Sequence, residues 1–233
     1  MAEITEVLEE KKIKVKEREP LFSKKNKKLI SDPLDENNPV TIQVLGICSA
    51  LAVTVQMKAA VVMSVSVLFV LILANVTVSL IRNLIPNRIR IIVQLVVVAA
   101  LVIVVDQVLK AYLFDVSKEL SVFIGLIITN CIIMGRLEAF ALGNKPWPSA
   151  LDAVGNSLGY GMVLVIVSFF KELFGSGKLF GVEIFGNLAE QTGLYSMGYM
   201  DNGLMLLPPS SLILVAIYIW VQKIRNPSLI ESH

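Results

Sequence analysis

Six apolar segments follow a polar beginning of the chain, and each is bounded by charges, prolines or glycines. Their bounds are about 40–57, 59–81, 91–113, 120–140, 151–170 and 209–222. The second segment runs for 23 residues without a charge. As a helix rising about 1.5 Å per residue, it is long enough to cross the roughly 30 Å hydrocarbon layer of a membrane. The pattern predicts an all-α, polytopic membrane protein with six transmembrane helices.

Two of these segments are short, and a third is interrupted by charge. The first has 18 residues and the last 14, while the fourth loses its charge-free character at Arg136 and Glu138. A span of this kind must thin the bilayer, be broken, or be shielded by neighbouring protein. We expect broken or half helices in the first and fourth segments.

The composition agrees with a membrane protein. Hydrophobic side chains make up 55% of the 233 residues, and the mean hydropathy is +0.71, whereas soluble domains are about 45–50% apolar even when glycine is counted. No polar segment is left that could fold into a nucleic-acid-binding domain. The expected partners are therefore the lipid membrane and other membrane proteins, and no nucleic acid.

Basic residues are concentrated near the N-terminus. Nine Lys or Arg lie between Lys11 and Lys28, and the stretch has neither the apolar core nor the cleavage site of a signal peptide. We expect residues 1–38 to form a charged cytoplasmic extension and linker, 39–225 the six-helix transmembrane domain, and 226–233 a C-terminal tail. With both termini cytoplasmic, 16 Lys and Arg fall on that side and five on the outer side. This distribution follows the positive-inside rule for a multi-pass protein of the bacterial cytoplasmic (inner) membrane.

The six segments divide into two halves of three, about 39–114 and 118–225. Because three is an odd number of crossings, two structurally similar halves would lie in opposite orientations, as an inverted repeat. Gly46-Ile47-Cys48 and Thr129-Asn130-Cys131 occupy the first span of their halves. Binding sites in inverted-repeat membrane proteins are formed at such broken helices. Six unrelated helices remain the alternative.

Cys48 and Cys131 are the only two cysteines of the chain. A buried thiol is often only a small hydrophobic side chain, whereas thiolates bind soft metals and iron–sulfur clusters. A four-thiolate cluster needs twice as many cysteines as this chain has, so a partner would supply the other two. Such a cluster is negatively charged, and helix N-termini with their backbone N–H groups would offset part of the cost of burying it. A disulfide is the least supported alternative.

The remaining motifs point away from nucleotide, haem or histidine chemistry. The single histidine, His233, is the last residue, which leaves no His-ligated cluster or general base within the membrane domain. Gly175-Ser176-Gly177-Lys178 lacks the other positions of a phosphate-binding loop, and we expect it to end the fifth helix and turn the chain. Three glycines of the fifth span are spaced for close helix packing: Gly155, Gly159 and Gly161.

Several polar side chains lie within or beside the spans. Asp106 and Lys110 are one helical turn apart, which predicts an ion pair near the outer interface; a cation path through Asp106 is the alternative. Two further ion pairs are expected at the interfaces: Arg136 with Glu138, and Lys171 with Glu172. Four side chains need partners and are expected to face protein or a water-lined cavity: Asn75, Thr77, Thr129 and Asn130.

Three stretches carry a resemblance to a known family. The run Cys-Ser-Ala-Leu-Ala-Val-Thr within 38–54, the stretch 129–141 around Cys131, and Phe-Gly-Ser-Gly-Lys-Leu-Phe-Gly within 171–181 resemble the NqrD/RnfE family of membrane proteins. Members of this family belong to the sodium-translocating NADH:quinone oxidoreductase or to the related Rnf complex. The similarity runs from about Asn38 to Arg225. It implies a six-span inverted-repeat subunit that pairs with a paralogous subunit in opposite orientation.

The resemblance also implies a cofactor and a place in a larger assembly. Cys48 and Cys131 match the two positions with which this family holds an intramembrane 2Fe–2S cluster, shared with the paralogous subunit. Electrons from NADH enter through a flavin subunit, cross the membrane through the pair, and return through flavins to ubiquinone while Na⁺ is exported. The chain itself would hold no complete active site. A secondary transporter and a purely structural membrane subunit are the alternatives.

Overall fold

The structure is a computed structural model that describes residues 29–34, 37–86, 88–112, 125–176, 178–179, 182–183 and 203–225. Seven α-helices lie in these ranges: α1 (Ile47–Val53), α2 (Met57–Ile81), α3 (Arg90–Tyr112), α4 (Cys131–Arg136), α5 (Pro146–Ser176), α6 (Gly203–Leu206) and α7 (Pro208–Arg225). A 3₁₀ turn spans Asp32–Leu34 and a π-helix Leu137–Ala141. Residues 29–31 and 125–128 are also helical.

The predicted all-α class is confirmed, with one small exception. Strands β1 (Lys178–Leu179) and β2 (Val182–Glu183) form an antiparallel pair of two residues each. They follow the end of α5 at Ser176, so the glycine-rich stretch ends the fifth helix as predicted.

Three of the described helices are long and apolar enough to cross a membrane: α2, α3 over Arg90–Ala111, and α5 over Pro146–Gly175. They correspond to the second, third and fifth predicted spans. The first and fourth spans contain only short helices, α1 with seven residues and α4 with six. Among the described helices, a short helix is followed by a long helix in both halves, as α1–α2 and α4–α5. A third helix, α3 or α7, follows in each half, with the four-residue α6 before α7. Of the predicted extension at residues 1–38, residues 1–28 and 35–36 lie outside the described residues, as does the predicted tail at 226–233.

The core forms where α2 and α5 pack along each other. Val67 and Leu71 of α2 and Val163 and Leu164 of α5 are completely buried. Helix α3 is peripheral, since 17% of its apolar stretch is buried, against 50% for α2 and 61% for α5. Most of α3 is therefore left to face lipid or another subunit.

The glycines of α5 allow close approach on two sides. A methyl group at Gly155 or Gly159 would overlap the carbonyl oxygen of Leu29 or Pro33, so these glycines receive the backbone of the segment before the first span rather than a membrane helix. At Gly161 the neighbour is Ser64 of α2, 3.1 Å from the position of an added Cβ. The predicted close packing between spans holds only at this third glycine.

Ion pairs between sequence neighbours were predicted correctly once and wrongly twice. Lys110 donates to Asp106 across 2.6 Å. Arg136, however, pairs with Asp152, and Glu138 with Arg90, because side chains one or two positions apart do not face each other. The same reason separates the third pair: Lys171 Nζ donates to Ser211 Oγ at 2.8 Å, and Glu172 Oε2 accepts from the Met57 N–H at 2.6 Å.

Each of the four polar side chains expected to need partners makes at least one hydrogen bond, although the buried Oδ1 of Asn75 accepts none from the described residues. Asn75 is buried and donates to the Ser149 carbonyl across 3.0 Å. The hydroxyls of Thr77 and Thr129 donate to carbonyls one turn earlier in their own helices. Asn130 belongs to the site described next.

Candidate functional site

The two cysteines, 83 positions apart in sequence, lie side by side, with their Sγ atoms separated by 3.5 Å. Cys48 is the second residue of α1, and Cys131 is the first residue of α4. Neither forms a disulfide. Cys48 is exposed and Cys131 is partly buried, so the sulfur pair opens towards the surface of this chain.

Helix α1 begins one residue before Cys48 and helix α4 begins at Cys131, both for local reasons. The residue before α1 is Gly46, whose φ of +82° lies in the left-handed region that glycine adopts without a Cβ penalty. The residue before α4 is Asn130, whose side-chain oxygen accepts from the Ile132 N–H across 3.3 Å in the manner of an N-cap. The backbone N–H groups of a first helical turn have no intrahelical acceptors. In α4, however, the N–H groups of Ile132 and Ile133 already donate to the side chain and the carbonyl of Asn130.

A buried polar network lies behind the cysteines. The hydroxyl oxygens of Ser49 and Tyr160 are 2.6 Å apart, and Asn130 Nδ2 lies 3.4 Å from each of them. Ser49 also donates to the Gly46 carbonyl across 2.8 Å. Ser49, Asn130 and Tyr160 have no exposed surface. The network joins α1, α4 and α5 immediately beside the two thiols.

Glycine is needed at position 46 for two reasons: the left-handed backbone conformation and the close approach of the Tyr160 ring. A Cβ at residue 46 would lie 2.9 Å from Cε2 of that ring. We therefore expect Gly46→Ala to destabilise the protein by about 1–3 kcal/mol, through left-handed strain and overpacking. Thermal unfolding of the purified protein measures this loss.

Gly125→Ala is the matched control, because an added Cβ there meets no atom within 4 Å. Alanine is the better helix former, so this variant should melt at or slightly above the wild-type temperature. Equal melting temperatures for Gly46→Ala and Gly125→Ala would contradict the assigned role of Gly46.

The sulfur separation is informative about chemistry. A disulfide needs about 2.05 Å between sulfurs, which is far shorter than the observed distance. Two thiolates bound to one tetrahedral metal ion at about 2.3 Å each have sulfurs about 3.8 Å apart. The observed 3.5 Å is a hydrogen-bond contact between two thiols, and it is close enough to that value for the residues to fit a shared metal ion. Within the described residues no group of three or more His, Cys, Asp or Glu could complete such a site, and further ligands would have to come from another chain.

A second buried polar group lies where α4 ends. Arg136 binds both carboxylate oxygens of Asp152, donates to Gln43 Oε1 at 3.4 Å, and stacks over the Phe140 ring at 5.6 Å. Asn156 donates to the same carboxylate across 3.1 Å. The cation thus ties the turn before α1 to α4 and α5.

Two residues of these networks, Asp152 and Tyr160, were not singled out from the sequence. Asp152 could have been identified from the sequence, because it is a carboxylate within a predicted span and such a group needs a partner. Lys171 was predicted to pair with Glu172 at the membrane interface, and its complete burial was not predicted. Tyr160 could not have been identified in this way, because a single tyrosine in an apolar helix is common in protein cores.

Comparisons with known proteins agree with the family resemblance found in the sequence. Residues 26–219 match the family described as "Rnf-Nqr subunit, membrane protein". The chain is also 54% identical over 210 residues to the D subunit of the Na(+)-translocating NADH-quinone reductase of Photobacterium profundum, a match that covers 90% of this chain and 98% of that protein. Cys48 and Cys131 both lie within the range matched by the family.

Proposed function

Because this chain belongs to the Rnf-Nqr family of membrane-protein subunits, we propose that it is an electron-relay subunit of a sodium-translocating NADH:quinone reductase. In this proposal Cys48 and Cys131 supply two of the four thiolates of a 2Fe–2S cluster. The observation that carries it is the 3.5 Å separation of two thiols from different halves of the chain. A cluster of this kind supplies one-electron redox chemistry within the membrane.

The other two thiolates would come from a paralogous membrane subunit in the opposite orientation. The exposed position of Cys48 supports this, because the sulfur pair is open to a neighbouring chain. The repeated order of short, long and third helices in the two halves supports six crossings arranged as an inverted repeat. Both termini would then lie in the cytoplasm, in the inner membrane of a bacterium.

The chain's own contribution is to hold two sulfurs at a depth where water is scarce. An electron received there adds negative charge that solvent does not screen, and a cation entering nearby would offset it. This coupling connects electron transfer with Na⁺ export. The chain would bind neither NADH nor quinone itself.

Alkylation of the thiols in the purified complex tests this proposal. We expect fewer than about one in ten of Cys48 and Cys131 to react with iodoacetamide while iron is bound, since a metal-bound thiolate is a poor nucleophile. After oxidative removal of iron with a chelator, both should react. Denatured chain gives the full label of two cysteines for comparison. Labelling that is the same with and without iron would reject the assignment and favour a structural subunit.

A further inference from the structure

We propose that Ser49, Asn130 and Tyr160 form a clamp that sets the separation and orientation of the two thiols, with Tyr160 as its central positioning residue. For the effect on a bound cluster, this inference rests on the function proposed above. For the separation of the thiols it rests on the geometry of this chain alone. The two parts can therefore fail independently.

The clamp acts through residues directly bonded to the cysteines. Ser49 follows Cys48, and Asn130 precedes Cys131, so a side chain that joins Ser49 to Asn130 also fixes where the two thiol-bearing backbones lie. Tyr160 comes from α5, which carries neither cysteine and is anchored by long packing against α2. Through Tyr160, the short helices α1 and α4 are thus both held against the long helix α5.

The hydrogen bonds of the clamp can be assigned by counting donors. Ser49 has one hydroxyl hydrogen, which goes to the Gly46 carbonyl at 2.8 Å. The Tyr160 hydroxyl must therefore be the donor in the 2.6 Å contact with Ser49 Oγ. Asn130 Nδ2 donates to both oxygens across 3.4 Å, while its Oδ1 is occupied by the Ile132 N–H. Both hydroxyl hydrogens are used within the network, so the clamp acts on the sulfurs through position.

The hydroxyl of Tyr160 is the group to remove. Tyr160→Phe keeps the ring that packs against Gly46, but it leaves Ser49 and Asn130 joined only by their 3.4 Å contact. Since these side chains are completely buried, water does not replace the lost donor. The variant should fold and should hold the two thiols less firmly.

The first measurement is the rate of disulfide formation between Cys48 and Cys131 in the full complex after iron removal, with diamide as oxidant. The two thiols give up two protons and two electrons, the S–S bond forms, and the diazene of diamide is reduced to a hydrazine. Because the rate depends on how often the sulfurs meet, we expect it to fall about tenfold in Tyr160→Phe. The matched control is Tyr218→Phe on α7, where Tyr218 lines a groove with Leu34 and Met162, and its rate should equal that of wild type.

The second measurement is the reduced-state paramagnetic spectrum of the iron-loaded complex. We expect shifted g values in Tyr160→Phe with the iron content retained, and no shift in Tyr218→Phe. If Tyr160→Phe fails to assemble, a second pair of variants repeats both tests. Ser49→Ala removes the hydroxyl that contacts both Tyr160 and Asn130. Ser64→Ala, its control, removes a hydroxyl whose hydrogen bond among the described residues is to the Ala60 carbonyl of its own helix.

The outcomes separate the two proposals. If the diamide rate and the spectrum of Tyr160→Phe match those of Tyr218→Phe, the clamp is wrong even when the thiols bind iron. Equal rates and spectra in Ser49→Ala and Ser64→Ala would reject the clamp in the same way. If the thiols bind no iron but the diamide rate still falls in Tyr160→Phe alone, the clamp holds the cysteines and the cluster assignment is wrong.

Discussion

Replacing Cys48 or Cys131 with serine should abolish iron binding at the site and stop electron transfer to quinone. Each variant leaves one thiolate of the pair that now lies at 3.5 Å, and a serine hydroxyl is a harder, more weakly acidic ligand than a thiol. Without a relay between the two sides, electrons would face the full hydrocarbon layer of roughly 30 Å. We expect quinone reduction to fall by at least about a hundredfold, as measured on the purified complex alongside its iron content.

Two controls make this result specific. Ala52→Ser places a hydroxyl on the same helix α1 at a partly buried position and should leave the iron content unchanged. Reduction of an artificial acceptor by the NADH-oxidising subunit should persist in all three variants, since in the proposed electron route that step precedes the membrane crossing. Full iron content and normal quinone reduction in both cysteine variants would rule out the ligand assignment.

Removing the carboxylate of Asp152 should cost more stability than removing the carboxylate of Asp106. The Asp152 side chain is 3% exposed and that of its partner Arg136 14%, so Asp152→Ala leaves an almost buried guanidinium without its counter-charge. Breaking a buried pair in this way costs about 3–5 kcal/mol. The measurement is the thermal unfolding of the purified complex, supported by the amount of complex in the membrane.

Asp106→Ala is the matched control for this loss. The Asp106 side chain is itself 14% exposed, but the charge left behind in Asp106→Ala is on Lys110, whose side chain is 49% exposed. Because that cation is largely accessible to solvent, we expect a loss of only about 1 kcal/mol. Replacing both members of the buried pair, as Arg136→Met with Asp152→Leu, should recover much of the stability, because the uncompensated charge is gone. Equal losses in Asp152→Ala and Asp106→Ala would show that burial of the first pair has little energetic effect.

The sequence was sufficient for the features that depend on local pattern. Continuous apolar runs predicted α2, α3 and α5, since length and hydropathy alone define a membrane-crossing helix. Charge and shortness in the first and fourth segments predicted interrupted helices, and the structure begins α1 at Ile47 and α4 at Cys131. The presence of two cysteines at comparable places in the two halves pointed to the pair before any distance was known.

The features that were missed depend on which faces of helices meet. Arg136 was assigned to Glu138 by proximity in sequence, but its partner Asp152 lies on another helix. Tyr160 joins the neighbours of both cysteines from a position with no distinguishing pattern around it. Such contacts are set by the rotation of α5 against α1 and α4, which a single sequence does not encode in any periodicity.

The most direct test of the shared metal site is a structure of the copurified complex determined with X-rays at the iron absorption edge. We predict one anomalous iron peak within about 2.3 Å of both Cys48 Sγ and Cys131 Sγ, at the face where a second subunit covers Cys48. Two bare sulfurs in contact at about the present 3.5 Å, with iron found only elsewhere in the complex, would contradict this prediction.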